Sequence, residues 1–213
     1  MLHLAVFGLP AVIRYHEPLL REYLLQAINK VEDSALSLEQ LSPAPNAAQA
    51  LRETYETHFN GPPGSKKQEK ISHQFAKRVK KYFVDEDDSF EIRPGVQSIF
   101  DHIEKRKKFK YAIVSPYWAE ATHLILQTCG VFSKNKLTIT ADDALSLPDQ
   151  LKVVRKRAKK KDDQLHLYFL PGHTREVPGK YHELIQPPFE KGEHNFFAYP
   201  RFKKLFPAVV QES

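Results

Sequence analysis

Residues 2–13, LHLAVFGLPAVI, contain an unbroken apolar run at positions 4–7 that ends at Gly8 and Pro10. A short apolar run without polar alternation, closed by glycine and proline, predicts a strand covered on both faces. Such strands form parallel sheets flanked by helices, whose functional sites lie beyond the carboxyl ends of the strands. Residues 8–11 therefore mark the expected site, yet they include no carboxylate, hydroxyl, thiol or imidazole.

The composition of the 213-residue chain is typical of a globular protein, with 41% hydrophobic and 27% charged residues. This length accommodates one core domain and a subdomain. The single cysteine, Cys129, excludes an intramolecular disulfide and a Cys-rich zinc site. No apolar stretch is long enough to cross a bilayer, and the N-terminal run lacks the flanks of a secretory signal. We therefore expect a cytoplasmic protein without membrane association.

Apolar residues recur at helical spacing across residues 16–31, 47–59 and 65–84. The sequence GPPG at residues 61–64 separates the second of these helices from the third. An acidic linker at residues 85–88 follows the third helix. The pattern therefore predicts an all-helical segment directly after the first strand.

The second half of the chain alternates between predicted strands and predicted helices. This alternation favours a parallel sheet with right-handed crossovers. The predicted strands are residues 111–114, 137–140, 165–170 and 195–198. The predicted helices begin at Pro94-Gly95, near Trp118, at Pro148 and at Arg201.

The order of these elements resembles the haloacid dehalogenase-like (HAD) phosphatase superfamily. It is most similar to members with a helical cap after the first strand, such as β-phosphoglucomutase-like enzymes. The resemblance covers the chain up to about residue 177 and rests on the order and spacing of the motifs. It implies a Rossmann-like parallel sheet core at residues 1–14 and 89–213, with a helical cap at residues 15–88.

The first motif of the family is a strand followed by Asp-x-Asp-Gly. Its first aspartate attacks phosphorus and its second acts as acid and base. The resemblance places Gly8 at the nucleophile position and Pro10 at the acid/base position. Neither side chain can attack, transfer a proton or hold a metal.

The second and third motifs bind the transferring phosphate through a hydroxyl and a lysine. Ser115, at the end of the strand 111–114, matches the hydroxyl position. An alternative role for Ser115, favoured by the sequence, is capping the next helix. The usual Lys-Pro of the third motif is replaced by Leu147-Pro148, and Lys152 follows a turn later.

The fourth motif supplies carboxylates for Mg²⁺, which prefers oxygen ligands. The resemblance places Gly172 at the metal-ligand position and Glu176 at the second acidic position. With the first-motif carboxylates also replaced, we expect no metal and no cofactor. Asp142 and Asp143 offer a displaced metal site as an alternative, although such residues more often cap the following segment.

Three basic clusters accompany a net charge of +6, which permits an anionic partner without requiring one. Nucleic-acid binding requires basic charge on one continuous face. The favoured interpretation is three separate solvated helix faces. The clusters are Lys77, Arg78, Lys80 and Lys81; residues 105–110; and residues 152–161.

These observations predict a catalytically degenerate HAD-like protein that acts by binding, with a vestigial phosphate-binding cleft. Ser115, Lys152 and Arg175 are the candidate anion-binding residues. The expected partner is an unidentified phosphorylated small molecule or a protein. Two alternatives remain open, namely a hydrolase that uses Asp142, Asp143 and Glu176 with Mg²⁺, and a nucleic-acid-associated module.

Overall fold

The computed structural model describes residues 2–85, 90–93, 95–105, 109–131, 137–158, 165–170 and 183–184. Within these ranges the chain forms a five-stranded sheet and a separate two-stranded ribbon. The strands are β1 (Leu2–Gly8), β2 (Ile13–Tyr15), β3 (Phe90–Ile92), β4 (Phe109–Val114), β5 (Leu137–Ile139), β6 (Leu165–Leu170) and β7 (Glu183–Leu184).

Seven α-helices and a short 3₁₀ helix (Leu38–Gln40) occur within the described residues. None of the helices in this part of the chain is long and apolar enough to cross a membrane. The α-helices are α1 (Leu9–Val12), α2 (Glu17–Glu32), α3 (Ala47–His58), α4 (Ser65–Asp85), α5 (Val96–Glu104), α6 (Ala119–Thr128) and α7 (Leu147–Arg157).

The sheet has the strand order β5-β4-β1-β6-β7, and every neighbouring pair is parallel. Strand β1 lies between β4 and β6, with Ala5 opposite Tyr111 on one side and Tyr168 on the other. The predicted parallel α/β sheet is confirmed, as is the prediction that the first strand and the strand at residues 111–114 are neighbours.

Both faces of the sheet are covered, which explains why β1 is continuously apolar. On one face Phe7 makes an edge contact with Phe100 of α5, with ring centroids 5.3 Å apart. On the other face Val6 packs in a buried cluster with Leu151 and Val154 of α7. Alternate side chains of one strand therefore enter two separate apolar layers.

Helices α2, α3 and α4 occupy the position predicted for the helical cap. Their buried apolar side chains belong to the same continuous cluster as Phe7 and Phe100. Helix α4 contributes Ile71, Phe75 and Val79, which are fully buried. The helices thus share one apolar core with this face of the sheet, and the exact division at residues 15 and 88 stays a prediction.

The ribbon of β2 and β3 and the short helix α1 were not predicted. Tyr15 pairs with Phe90 in an antiparallel register, so the chain enters and leaves the helical segment side by side. Residues 8–11, expected as a loop, instead lead into a helical turn in which the Ile13 amide donates to the Leu9 carbonyl. The strand predicted at residues 195–198 and the helix predicted from Arg201 lie outside the described residues.

Candidate functional site at the carboxyl ends of the strands

The candidate site lies at the carboxyl ends of three strands in the order β5-β4-β1. Gly8 lies opposite Val114, and Val114 lies opposite Ile139. Ser115, the next residue after β4, therefore lies between the end of β1 and Thr140, the next residue after β5. Gly8, Ser115 and Thr140 are all buried.

Gly8 and Pro10 provide only backbone groups at the end of β1. Gly8 has the ordinary extended conformation, with φ −66° and ψ 144°. The Pro10 carbonyl accepts a 2.6 Å hydrogen bond from Nε of Arg93. Burial, followed by the nearby Arg14 charge, lowers the pKa of Arg93, although a guanidinium still remains protonated. The Pro10 carbonyl is thus bonded to a permanent cation, and the assignment of Pro10 to an acid/base position stays a prediction.

The Ser115 hydroxyl is enclosed by the turn that follows β4. It accepts a 3.1 Å hydrogen bond from the Tyr117 amide and is bonded to the Thr122 hydroxyl at 2.7 Å. The Thr122 hydroxyl donates to the Tyr117 carbonyl. Ser115 itself is 0% exposed. The Ser115 hydroxyl therefore links the turn after β4 to a side chain of α6 without capping that helix, whose N-cap residue, Trp118, makes no side-chain cap bond. The anion-binding role of Ser115 stays a prediction.

Replacement of Ser115 by alanine is expected to lower the free energy of unfolding by about 1–3 kcal/mol, because the buried Tyr117 amide loses its acceptor. Urea unfolding measures this change. The matched control is Ser98→Ala on α5, where the serine is exposed and the expected change is within about 0.5 kcal/mol. Equal effects of the two substitutions would contradict a stabilising role for the buried hydrogen bonds of Ser115.

Gln150 is a polar site residue that the sequence analysis missed. It is 2% exposed, and its Nε2 donates a 2.9 Å hydrogen bond to the Ser115 carbonyl. Lys152, the residue predicted instead, is exposed and pairs with Asp149 at 2.7 Å. A sequence signal for this position existed, because Gln150 lies one helical turn before Val154, which is buried on the side of α7 that faces the sheet.

Asp142 and Asp143 act as local caps. An Asp142 oxygen accepts a 2.7 Å hydrogen bond from the Ala119 amide at the start of α6. Asp143 accepts a bond from the Thr140 amide at 2.9 Å and forms an ion pair with Arg157. No group of three or more metal-ligating side chains lies together within the described ranges.

Three of the predicted site residues cannot be placed. Gly172, Arg175 and Glu176 follow β6 and lie outside the described residues. Their predicted places in the fourth motif, and the predicted absence of a metal, therefore stay predictions.

Cys129 is the single thiol of the chain. Its Sγ lies 3.4 Å from the Phe90 carbonyl and donates to it. Burial, followed by the nearby Glu91 charge, raises the pKa of Cys129 to about 11. Because the thiolate is the reactive form, this thiol is a poor nucleophile at neutral pH.

The helical segment closes over the ends of β4 and β5. The amide of Ala47, the first residue of α3, donates a 2.8 Å hydrogen bond to the Pro116 carbonyl. The side-chain amide of Asn46 donates to the Ala144 carbonyl at 3.3 Å. These two bonds join the start of α3 to both loops that follow the strands.

Aromatic side chains fill the space beside these hydrogen bonds. Phe75 of α4 stacks on Tyr117, with ring centroids 5.6 Å apart, and meets the edge of Trp118 at 5.8 Å. Trp118 is 1% exposed, and burial raises the pKa of Tyr117. Trp118 is therefore a packing residue at the start of α6.

The basic clusters are distributed around the sheet. Helix α4 packs on the side of the sheet that carries Phe7, whereas α7 packs on the side that carries Val6. Lys105 and Lys110 are exposed, and residues 106–108 lie outside the described part. The clusters on α4 and α7 therefore belong to opposite sides of the sheet.

No family model matches the chain, and neither does any curated protein sequence. Solved structures do match. The chain is similar to CbbY from Rhodobacter sphaeroides in complex with phosphate, with a TM-score of 0.56 and 10% identity, over 87% of this chain and 94% of that one.

Two further solved structures are similar. A hydrolase from Pseudomonas syringae aligns with a TM-score of 0.54 and 13% identity, over 78% of this chain and 74% of that one. A HAD hydrolase of family IA, variant 3, from Entamoeba histolytica aligns with a TM-score of 0.52 and 12% identity, over 79% of this chain and 75% of that one. These similarities establish a common fold.

Proposed function

We propose that this chain, which has the haloacid dehalogenase-like fold, acts by binding rather than by catalysis. The observation that carries the proposal is the end of β1, where Gly8 and Pro10 offer no reactive side chain. By the resemblance noted from the sequence, these two residues take the places of the family's nucleophile and acid/base. Loss of a covalent nucleophile alone typically lowers the rate by a factor on the order of 10⁶. Cys129, whose raised pKa disfavours the thiolate, does not supply a reactive nucleophile at neutral pH either.

The contacts above the strand ends support the same proposal. A phosphate that approached the Ser115 hydroxyl would have to displace the Tyr117 amide and the Thr122 hydroxyl. It would also have to pass the hydrogen bond between Ala47 and Pro116. Each displaced group is buried, so breaking its bond without replacement is costly. The arrangement favours a stable closed site over a substrate cleft that fills and empties.

If the site at the strand ends is closed, a partner would bind to exposed residues elsewhere on the protein. Phosphate binding at Ser115, Lys152 and Arg175 remains a separate prediction. The contact of Lys152 with Asp149 on the surface of α7 does not support it. Calorimetric titration of millimolar phosphate into the native chain and into Ser115→Ala tests that prediction. Equal affinity in the two proteins would remove Ser115 from any anion site.

The purified chain is expected to turn over phosphomonoesters no faster than a protein-free blank. The assay uses p-nitrophenyl phosphate and a panel of sugar phosphates with Mg²⁺. Ordinary enzyme turnover, about 1–10³ per second, that falls on Asp143→Asn or Glu176→Gln substitution would contradict the proposal. That outcome would support the alternative of a hydrolase with atypical residues.

A further inference from the structure

One side of α4 carries a row of exposed lysines. Their phase on the helix is fixed by Ile71, Phe75 and Val79, which are fully buried on the opposite side. The positions recur at helical spacing, so the lysine side chains extend from the same side of the helix. The lysine row consists of Lys66, Lys70, Lys77, Lys80 and Lys81, all of them exposed.

The members of the lysine row lack the partners that several other cations of the helical segment have. Lys67, the neighbour of the row, pairs with Glu32 at 2.8 Å, and Arg52 pairs with Glu56 at 2.9 Å. Among the described residues, no ion pair or side-chain hydrogen bond involves a member of the lysine row. Other exposed lysines, such as Lys30, do not belong to such a row.

Among the side chains that the structure describes, two carboxylates lie close to the row. Glu69 is exposed on α4 itself, and Glu120 of α6 contacts His73 of α4 at 3.1 Å. Against these, Lys66 and Lys70 are four residues apart, as are Lys77 and Lys81. Like charges at this spacing destabilise a helix. The lysines of the row therefore repel one another, and the packing of the buried side of α4 keeps them close together.

We propose that the lysine row binds the phosphate backbone of a nucleic-acid duplex without reading its sequence. The row from Lys66 to Lys81 spans about 22 Å along the helix axis at 1.5 Å per residue. A duplex presents a regular, rigid array of phosphates to such a straight row. Lysine offers a point charge rather than the planar fork that reads base edges, so the contacts position the duplex without specifying bases.

The side chains around the row favour a duplex over a single strand. Single-stranded nucleic acids are bound by aromatic side chains that stack on the bases. The aromatic residues of α4 point into the apolar core instead, with Phe75 fully buried and Tyr82 and Phe83 packed against the same cluster. The exposed side of α4 thus supplies charge for phosphates and no platform for bases.

This inference names a partner class for the proposed binding role, and its site is remote from Gly8 and Ser115. The test compares two triple variants that lose the same charge. Lys70→Gln, Lys77→Gln and Lys81→Gln alter the row, whereas Lys30→Gln, Lys110→Gln and Lys156→Gln alter exposed lysines elsewhere. Glutamine forms helices almost as readily as lysine, and circular dichroism checks that both variants fold.

Fluorescence anisotropy with a DNA duplex of about 20 base pairs, from about 50 to 200 mM salt, provides the readout. The native chain is expected to show a slope of log affinity against log salt of about −4, near −0.9 per phosphate contact. The row variant should lose about 2–3 units of that slope and at least about tenfold in affinity. The control variant should change affinity less than about threefold.

Two results would overturn the inference. One is equal weakening in the two variants, which would mean that net charge alone drives binding. The other is an absence of duplex binding at about 10⁻⁴ M protein, the weak end of ordinary non-specific affinity. Poly-glutamate and anionic vesicles serve as competitors, and equal affinity for either would also overturn the choice of a duplex. The phosphatase assay is independent, so failure here leaves the non-catalytic proposal standing.

Discussion

Replacement of Phe75 by alanine is expected to lower the free energy of unfolding by about 3–5 kcal/mol, the usual cost of removing a buried phenylalanine. Phe75 is fully buried and contacts both Tyr117 and Trp118. Its removal leaves a cavity between α4 and the loop after β4, where the helical segment joins the core. Urea unfolding monitored by fluorescence and circular dichroism measures the change.

Lys77→Ala provides the control, because Lys77 is exposed on the same helix and its loss should alter stability by about 0.5 kcal/mol or less. The native chain should unfold in one transition, since α4 shares its apolar cluster with the sheet. A loss below about 1 kcal/mol for Phe75→Ala would show that the site tolerates an open position of α4, contrary to the closed arrangement. Separate transitions for helices and sheet would contradict it as well.

Gly8→Asp, which installs the family's nucleophile type, is expected to destabilise the chain by several kcal/mol at neutral pH. Gly8 is buried, and its φ of −66° suits any residue, so backbone strain does not contribute. The cost arises from a carboxylate placed beside fully buried Phe7 and Leu9. The nearest motif hydroxyl, on Ser115, is already bonded to Thr122.

The pH dependence of this variant has a definite sign. Burial raises the pKa of an unpaired carboxyl in the folded state above its unfolded value of about 3.9. Below about pH 4 the carboxyl is protonated in both states, so the free energy of unfolding falls little. As the pH rises toward 7, the free energy of unfolding of the variant falls further. Gly8→Asn is the neutral control of similar size. Equal stability of the two variants at pH 7 would show that the site still accommodates the charge.

The fold could be predicted because its central strands carry local signals. The apolar runs at residues 4–7 and 111–114 have no polar alternation, and this pattern is typical of strands buried on both faces. They indeed pair as β1 and β4. Helix α4 was similarly clear, because Gly64 precedes it and its apolar residues keep one phase over 21 residues.

The elements that escaped prediction are those that depend on distant partners. Strands β2 and β3 have three residues each, too few for a period to be recognised. Their pairing joins Tyr15 to Phe90, which are far apart in the sequence. Helix α1 is a single turn, and nothing local distinguished it from the loop expected after Gly8.

In the candidate site, too, a local feature, the place of Ser115 at the end of β4, could be predicted, and contacts between distant residues could not. The local rule about hydroxyls at helix starts favoured a capping role for Ser115. The hydroxyl instead bonds to the Thr122 side chain, and the N-cap residue of α6 makes no side-chain cap bond. The contact between Gln150 and the Ser115 carbonyl joins α7 to the end of β4. The bond from Ala47 to Pro116 joins α3 to the same loop. Such contacts arise only when the chain has folded, so the sequence alone did not reveal that the site is closed.

The amide of Ala47 provides the most direct test of a closed site. As a first-turn amide it has no partner within its own helix, and its hydrogen bond is to the Pro116 carbonyl beyond β4. Its protection from hydrogen exchange therefore depends on contact between the helical segment and the core. The matched amide is that of Ala50, which bonds within α3 to the Asn46 carbonyl.

Hydrogen exchange measured by NMR is expected to show Ala47 and Ala50 exchanging at rates within about tenfold of the Ala112 amide in β4, through the same global unfolding. This result would mean that the strand ends stay covered for as long as the protein stays folded. Exchange of Ala47 on the order of 10³ times faster than Ala50 and Ala112 would reveal local opening. That result would contradict the closed site and restore a cleft that a phosphorylated ligand can enter.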